Sequence, residues 1–538
     1  MQCPMGAKEG KVPAAIELNA TSSHTPPSDP ATDRTQRHCS RDDAMEQYPL
    51  TANPSILVNV LCYDLDPRDL AALEATCKFF RNPANFPPDI ALSLPELAAY
   101  DMCRKKAAFR PMKHEQMELL KKRCGGSWKL VLKYVLVGEK NYRREKPQVI
   151  AGSGHSIAVT AKGDVYSFGA NSLGQLGLGN TEDQPKPCLI SSLQGIRITQ
   201  AAVGARRTML VSDKGGVYTF GHDILGWEDT KGIAAINHSS SPKLVESLKD
   251  VFVVQVSIGN YFTAVLSREG QVYTFCWGRD KRLGHNTDPV DIEPRLLSGP
   301  YEDAPVAQIA AGNCYLLMLV YKPAGMSVYS VGCGQGGKLG HGNKVSEGIP
   351  KLIEHLEAPD RRPLSISAGP FHVAALCCDG RVFTWGWNTC GCLGHDADDG
   401  EECTVLPTAV EGSLSGVKAV HLSAGRYTNL VIADNGDVYS FGWGYSCNLG
   451  FQDNASDVLT PKLATSLAGL DEKIVQISAT NSYWHSQDMG LAHTIVLTES
   501  GKLYSFGGGV NGQLGLGVKL ADAQDKVAIP SRVAVDLI

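Results

Sequence analysis

Residues 163–179 read GDVYSFGANSLGQLGLG, and residues 501–517, near the other end of the chain, read GKLYSFGGGVNGQLGLG. A phrase repeated at that distance marks a repeat architecture, which must be recognised before any local reading. Weaker copies lie between: GGVYTFG, GQVYTFCWGRDKRLGH, MSVYSVGCGQGGKLGH, GRVFTWGWNTCGCLGH and GDVYSFGWGYSCNLG. The seven anchoring aromatics are Tyr166, Tyr218, Tyr273, Tyr329, Phe383, Tyr439 and Tyr504. Their spacing falls in the roughly fifty-residue range of propeller repeats, so each unit is one blade.

A short apolar run precedes each copy, as in SIAVT, TMLVS, TAVLS, YLLMLV, VAALC, NLVIA and TIVLT. Such runs, bounded by glycine and rich in β-branched residues, predict buried strands. Turn dipeptides such as Asp379-Gly380 and Asn435-Gly436 join run to phrase. They favour the primed turns of a tight hairpin. Gly169, Gly221, Gly332, Gly386, Gly442 and Gly507 end the aromatic strand, as expected if blades crowd a central axis. Leu176-Gly177 and Leu514-Gly515 pair a buried anchor with a residue free to take positive φ. A Pro-x-x-apolar fragment recurs in PKPCLI, SPKLV, IPKLI and TPKLA, and again in the terminal IPSRVAVDLI, which no hairpin follows. Ring closure is therefore expected by the C-terminal strand around Val533–Val535 completing the first blade.

The pattern AGxxHS followed by GxVYSFGxNxxGQLGLG resembles the repeat of the regulator of chromosome condensation family over about residues 146–538. The resemblance implies an all-β, seven-bladed β-propeller, here preceded by a small α-helical region and an N-terminal tail. No WD dipeptide closes each unit and no regular Gly-Gly doublet recurs, which sets WD and kelch repeats aside.

The 538 residues are 43% apolar and hold no run suited to a membrane span or a secretory leader. Cytoplasm, nucleus or both is the expected location, with the 16 cysteines reduced and structural. Charge is uneven. Residues 101–146 carry 14 Lys+Arg against 5 Asp+Glu (+9), whereas residues 147–538 carry 29 against 38 (−9). The propeller thus lacks a basic footprint for nucleic acid, and no nucleic-acid partner is expected. The basic stretch is expected to be solvated or paired within the chain.

Residues 1–52 are polar and rich in Pro, Ser and Thr, and read as a disordered tail. Residues 53–82 include a helix whose first turn holds Pro67 and whose cap is Asp66. This segment resembles the F-box on Leu65, Pro67, Asp69, Leu70, Leu73, Cys77, Lys78 and Phe79. That resemblance implies docking of a Skp-type adaptor of cullin ubiquitin ligases through Leu65, Pro67, Leu70, Leu73 and Cys77. The alternative is a plain helical cap on the propeller. Residues 83–145 continue as basic helices, with Trp128, Val131, Leu132 and Val135 on one face of the last.

No enzymatic centre, cofactor or metal is expected. His155, His372 and His493 share one repeat position and are expected to satisfy backbone groups inside each blade. Two activities follow from the family resemblance: nucleotide exchange on a Ran-type small GTPase, and UV-B photoreception. The second depends on repeated Gly-Trp-Arg-His-Thr strings. The matching strings here, GSGHS, GARRT, GNYFT, GNCYL, GPFHV, GRYTN and GLAHT, have no Trp, and only Arg206 fills the third position. Trp277, Trp385, Trp387 and Trp443 lie instead in the aromatic phrase and are expected to pack in cores. The reading reached is a scaffold for a protein partner, contacted through variable loops beginning at His222 and Ser478, with nucleotide exchange as the alternative.

Overall fold

The computed structural model describes residues 61, 65–76, 92–144, 146–222, 238–286, 290–395, 402–452, 456–481, 492–521 and 525–538. From residue 148 onward the chain forms seven four-stranded antiparallel sheets, each consecutive in sequence. In the first blade the strands are Gln148–Ala151, His155–Val159, Val165–Gly169 and Gln184–Leu189, running from the axis outward. The apolar runs are the second strands and are buried throughout, as in His155–Val159 and His372–Cys377. The aromatic phrases are the third strands, joined to the second by tight turns with Gly163, Gly215 and Gly380 at positive φ.

The expected mode of closure is corrected. The C-terminal strand Lys526–Asp536 pairs with Lys502–Gly508, so it is the outer strand of the seventh blade. The first blade already owns four strands, and the stretch around Val149 is its inner strand. The Pro-x-x-apolar fragment always follows its own hairpin, so the copy at Pro530 was never an orphan. Closure runs instead through side chains: Val149, Phe168, Ile495, Val533 and Leu537 share one core across the boundary between blades seven and one.

Two devices recur at the boundaries between blades. The first is the Leu-Gly turn, whose glycine abuts the aromatic strand of the next blade. A Cβ on Gly177 would lie 2.9 Å from the Phe220 ring, and one on Gly515 would lie 2.9 Å from Phe168. Both glycines also sit at positive φ, +71° and +69°. The leucine carbonyl is bound by a Ser or Thr of its own blade, for example Ser167 Oγ to Leu176 O at 2.8 Å and Ser505 Oγ to Leu514 O at 2.6 Å. The strand-ending glycines answer to a different neighbour from the one expected: a Cβ on Gly169 would lie 2.5 Å from Gly154 O and 3.1 Å from Gln513 Cα. The crowding comes from the second strand and the adjacent blade, not from the axis.

The second device is a girdle of glutamines on the inner strands. Gln200 takes both the N–H and the C=O of Val256, Gln255 those of Ile309, Gln308 those of Ile366, and Gln476 those of Val149, at 2.8–3.2 Å. An inner strand has a blade neighbour but no hydrogen-bonded strand on its axial side. A primary amide carries both donor and acceptor and so satisfies both backbone groups at once. The bond from blade seven to blade one is the same as those from blades two, three and four, so the device also spans the closing boundary, whereas Gln148 of blade one takes only the carbonyl of Thr199 in the next blade (2.7 Å). Blades five and six break the girdle, with Ser365 and His421 at the glutamine position.

Four helices precede the propeller: α1 (Pro67–Thr76), α2 (Leu94–Lys105), α3 (His114–Arg123) and α4 (Trp128–Asn141). Asp66 caps α1 as expected, its carboxylate accepting from the amides of Arg68 (2.6 Å) and Asp69 (3.0 Å). Glu96 of α2 caps α4 through Ser127 Oγ (2.5 Å) and the Trp128 amide (2.6 Å). Lys129 pairs with Glu74 of α1 and with Glu96, fixing the three helices together. Among the described residues, no helix is long and apolar enough to cross a membrane.

Candidate partner interface

The two faces of the propeller differ because the connections at its two ends differ. The tight hairpin turns and the links between blades lie at one end. The described loops between third and outer strands lie at the other, among them residues 170–183 and 333–346. The helices cover part of the tight end. Arg123, at the end of α3, donates to the carbonyls of Glu269 (2.6 Å), Ala304 (2.9 Å) and Glu302 (3.1 Å). Tyr134 of α4 donates to Val306 O (3.1 Å) and meets Tyr321 edge-on at 5.8 Å. Asn141 donates to Leu364 O, and Arg144 to Asp213 O. From the propeller side, Arg268 donates to Ala108 O (3.1 Å), and the Arg268 and Arg144 guanidiniums lie 4.6 and 5.6 Å from the Phe252 ring. The apolar faces of the helices share one core with the strands of the third, fourth and fifth blades. Part of the basic stretch is therefore spent on backbone carbonyls of the propeller and part on acids of the helices, as with Lys106 and Glu139 at 2.7 Å.

Among the described residues, no helix lies over the opposite face. Turns from several blades converge near the axis around Asn260, Asn313, Pro370 and Asn481. Aromatic and cationic side chains surround them. Phe371 and Tyr427, from the turns of adjacent blades, stack at 5.6 Å with planes 12° apart. Arg426 lies 5.6 Å from the Tyr427 ring, and Arg282 lies 4.9 Å from Tyr261. Farther out, Tyr445 stacks on Trp443 at 6.1 Å and carries Lys526 over its ring. Tyr261, Phe371 and Tyr427 are half-buried, and Tyr445 is exposed. Amphipathic aromatics and arginine are the residue types over-represented in the cores of protein–protein interfaces.

The F-box-like positions are spread over different environments. Leu70 is wholly buried in the core shared by the helices and blades. Leu65 and Leu73 are half-buried and pack against that core, and Pro67 is half-buried in the first turn. Cys77, Lys78 and Phe79 lie outside the described residues, as do most of the variable loops that begin at His222 and Ser478.

Of the repeated histidines, His155 and His493 reach across blade boundaries, beyond the expected bonds inside each blade, and His493 also meets Thr480 Oγ1 of its own blade (3.0 Å). His155 Nε2 donates to Thr208 Oγ1 of the next blade (2.9 Å), which itself donates to Gln175 O (2.9 Å). His493 reaches Ser156 in the same way (2.7 Å), and Ser156 donates to Gln513 O (2.8 Å). Burial pushes His155 down to about 3 and His372 to about 4, so both rings are neutral. Trp385 is fully buried and donates to Lys338 O (3.1 Å), and Trp443 is buried too, in line with core packing. The described cysteines are unbridged. Among the described residues no group of His, Cys, Asp or Glu is placed to hold a metal.

Residues 147–485 match the model of the RCC1-like domain, and residues 488–513 match the regulator of chromosome condensation (RCC1) repeat. The chain is 27% identical over 375 residues to the ultraviolet-B receptor UVR8 of Arabidopsis thaliana, covering 69% of this chain and 78% of the receptor. It is 30% identical over 356 residues to the human E3 ubiquitin-protein ligase HERC2, covering 66% of this chain but only 7% of the ligase. Among solved structures, yeast RCC1 (Prp20) bound to Kap60 superimposes with a TM-score of 0.57 at 21% identity, covering 72% of this chain and 87% of that one. A second structure, of Prp20p from Saccharomyces cerevisiae, a protein described with its binding to Gsp1p and histones, has a TM-score of 0.55 at 22% identity over 69% of this chain and 86% of that one.

Proposed function

Given that the chain belongs to the family of RCC1-like propellers, we propose that it is a scaffold for protein recognition whose partner docks on the face opposite the helices. The observation that carries this reading is the asymmetry of the two faces: one is sealed in part by helices and bonded carbonyls, while the other presents Tyr261, Phe371, Tyr427 and Tyr445, with Lys526 over Tyr445 and the buried Arg282 and Arg426 packed against the rings of Tyr261 and Tyr427. That Prp20 has been solved with a protein partner supports a protein-binding role. Truncating Phe371 and Tyr427 to Ala together should abolish recovery of the partner that co-purifies with the full chain and leave the melting temperature nearly unchanged. Equal recovery from the double variant would refute the assignment of this face.

The helices act first as a cap. Recruitment of a Skp-type adaptor would have to use the half-exposed Leu65, Pro67 and Leu73, because Leu70 is already spent on the core. A full-length chain that captures the purified adaptor, and loses it on Leu65→Asp and Leu73→Asp, would establish that second role; no capture would leave the helices as a cap alone.

A further inference from the structure

The girdle is broken in blades five and six, and a cleft opens where it breaks. Its cavity is about 550 Å³, bounded by the end of α4 and by the inner strands Pro363–Ala368, Ala419–Ala424 and Ile474–Ala479. Ser365 and His421 stand where a glutamine would fill the space between inner strands. The carbonyl of Val475 is taken instead by Arg143, which reaches down from the cap at 2.9 Å. The floor is apolar, formed by side chains such as Val420, Ile432 and Ile474. The rim is basic: Lys140, Lys146 and Lys473 are exposed, and no carboxylate is among the described residues that line the cleft.

We infer that this cleft is a second docking site, for an acidic peptide segment of a partner protein that carries apolar side chains between its carboxylates. The choice of occupant follows from where the charges lie. A compact polyanion needs donors at the bottom of its site, but here Arg143, the deepest cation, is committed to backbone carbonyls of Val475 and Pro147. The exposed charge is at the rim, where Lys473 also donates to Asp434 O (3.3 Å), and the depth is apolar, which suits a chain that inserts a Leu or Phe and leaves its carboxylates above, at the lysines. A nucleic acid would find the charge but not a use for the floor. The site is on the helix-bearing face and stands independently of docking on the opposite one.

The test uses the full chain and a fluorescein-labelled peptide, Asp-Asp-Phe-Glu-Asp-Leu-Glu-Asp, in fluorescence anisotropy. Saturable binding is expected that weakens as salt is raised. The exposed-lysine variant Lys140→Glu, Lys146→Glu, Lys473→Glu should bind at least about tenfold more weakly, since each rim pair contributes modestly and reversal adds repulsion. A peptide with Ser in place of Phe and Leu should also lose about tenfold, because the floor then goes unfilled. The proposal fails if the labelled peptide does not bind, if the triple variant binds it equally, if the Ser peptide binds as well, or if a single-stranded oligonucleotide of equal charge displaces it more effectively than unlabelled peptide does.

Discussion

Arg123 offers the sharpest test of how the helices are held. Its guanidinium makes three bonds to the carbonyls of Glu269, Ala304 and Glu302, all from one blade-to-blade link and one hairpin turn. A hydrogen bond to a charged group contributes about 1.5–3 kcal/mol. The side chain is half-buried, so water reaches part of the site once it is gone. Allowing for that return, Arg123→Ala should cost the cap about 3 kcal/mol. That corresponds to roughly a hundredfold rise in its opening equilibrium. Hydrogen exchange reports such local opening directly. Amides of α3 and α4 should exchange about a hundredfold faster, while inner strands of the first, sixth and seventh blades keep their protection. Arg123→Lys should recover no more than about a third of the loss, because an ammonium cannot fork to three acceptors in that geometry. Unchanged exchange in α3 and α4 would refute the reasoning, since it would mean the three bonds hold nothing.

Deleting residues 529–538 should lower the melting temperature sharply and deprotect the strand Lys502–Gly508, not the outer strand of the first blade; the reverse exchange pattern would restore closure through blade one. Leu70→Ala, at a fully buried site, should cost about 2–5 kcal/mol in the helical layer, read from denaturant unfolding followed at Trp128. Burial holds His155, His372 and His421 below the usual imidazole range, at about 3, 4 and 4. Their folded values are lowered, so the stability they contribute is complete above pH 6.5 and is lost as pH falls from 6.5 toward 4. The urea midpoint should drop over that window, and less steeply in His155→Gln. Catalytic release of labelled GDP from a Ran-type GTPase should stay at background, and UV-B should leave the sizing-column elution unchanged.

The blade was legible because its parts are local. The run HSIAV, the glycine turn and the phrase VYSFG each read as strand, turn and strand by themselves, and the observed register His155 to Gly169 follows from the turn alone. Ring closure was misread because a repeat can be cut at any point of its period. The sequence pattern does not say whether QVIA begins one blade or ends another until the pairing of Gln148 with Val159 is seen. The girdle was missed although it has a signal: Gln200, Gln255, Gln308 and Gln476 recur before the second-strand runs, as in TQAAVG, VQVSIG, AQIAAG and VQISA. A polar residue inside an apolar run means a buried amide, and its partner is one blade away in space and about fifty residues away in sequence. The histidine bonds escaped for the same reason. Arg123 had no signal, because nothing in KKRCGG distinguishes the arginine that meets three carbonyls from Lys121 beside Glu118 and Trp128 or the exposed Lys122.

The division of labour between the faces is tested most directly by hydroxyl-radical footprinting of the full chain, alone and with its co-purified partner bound. Protection is expected at Tyr261, Phe371, Tyr427 and Tyr445, with the exposed Leu119 of α3 labelled equally in both states. Protection of Leu119 with those four aromatics unchanged would contradict the account and place the partner on the helices.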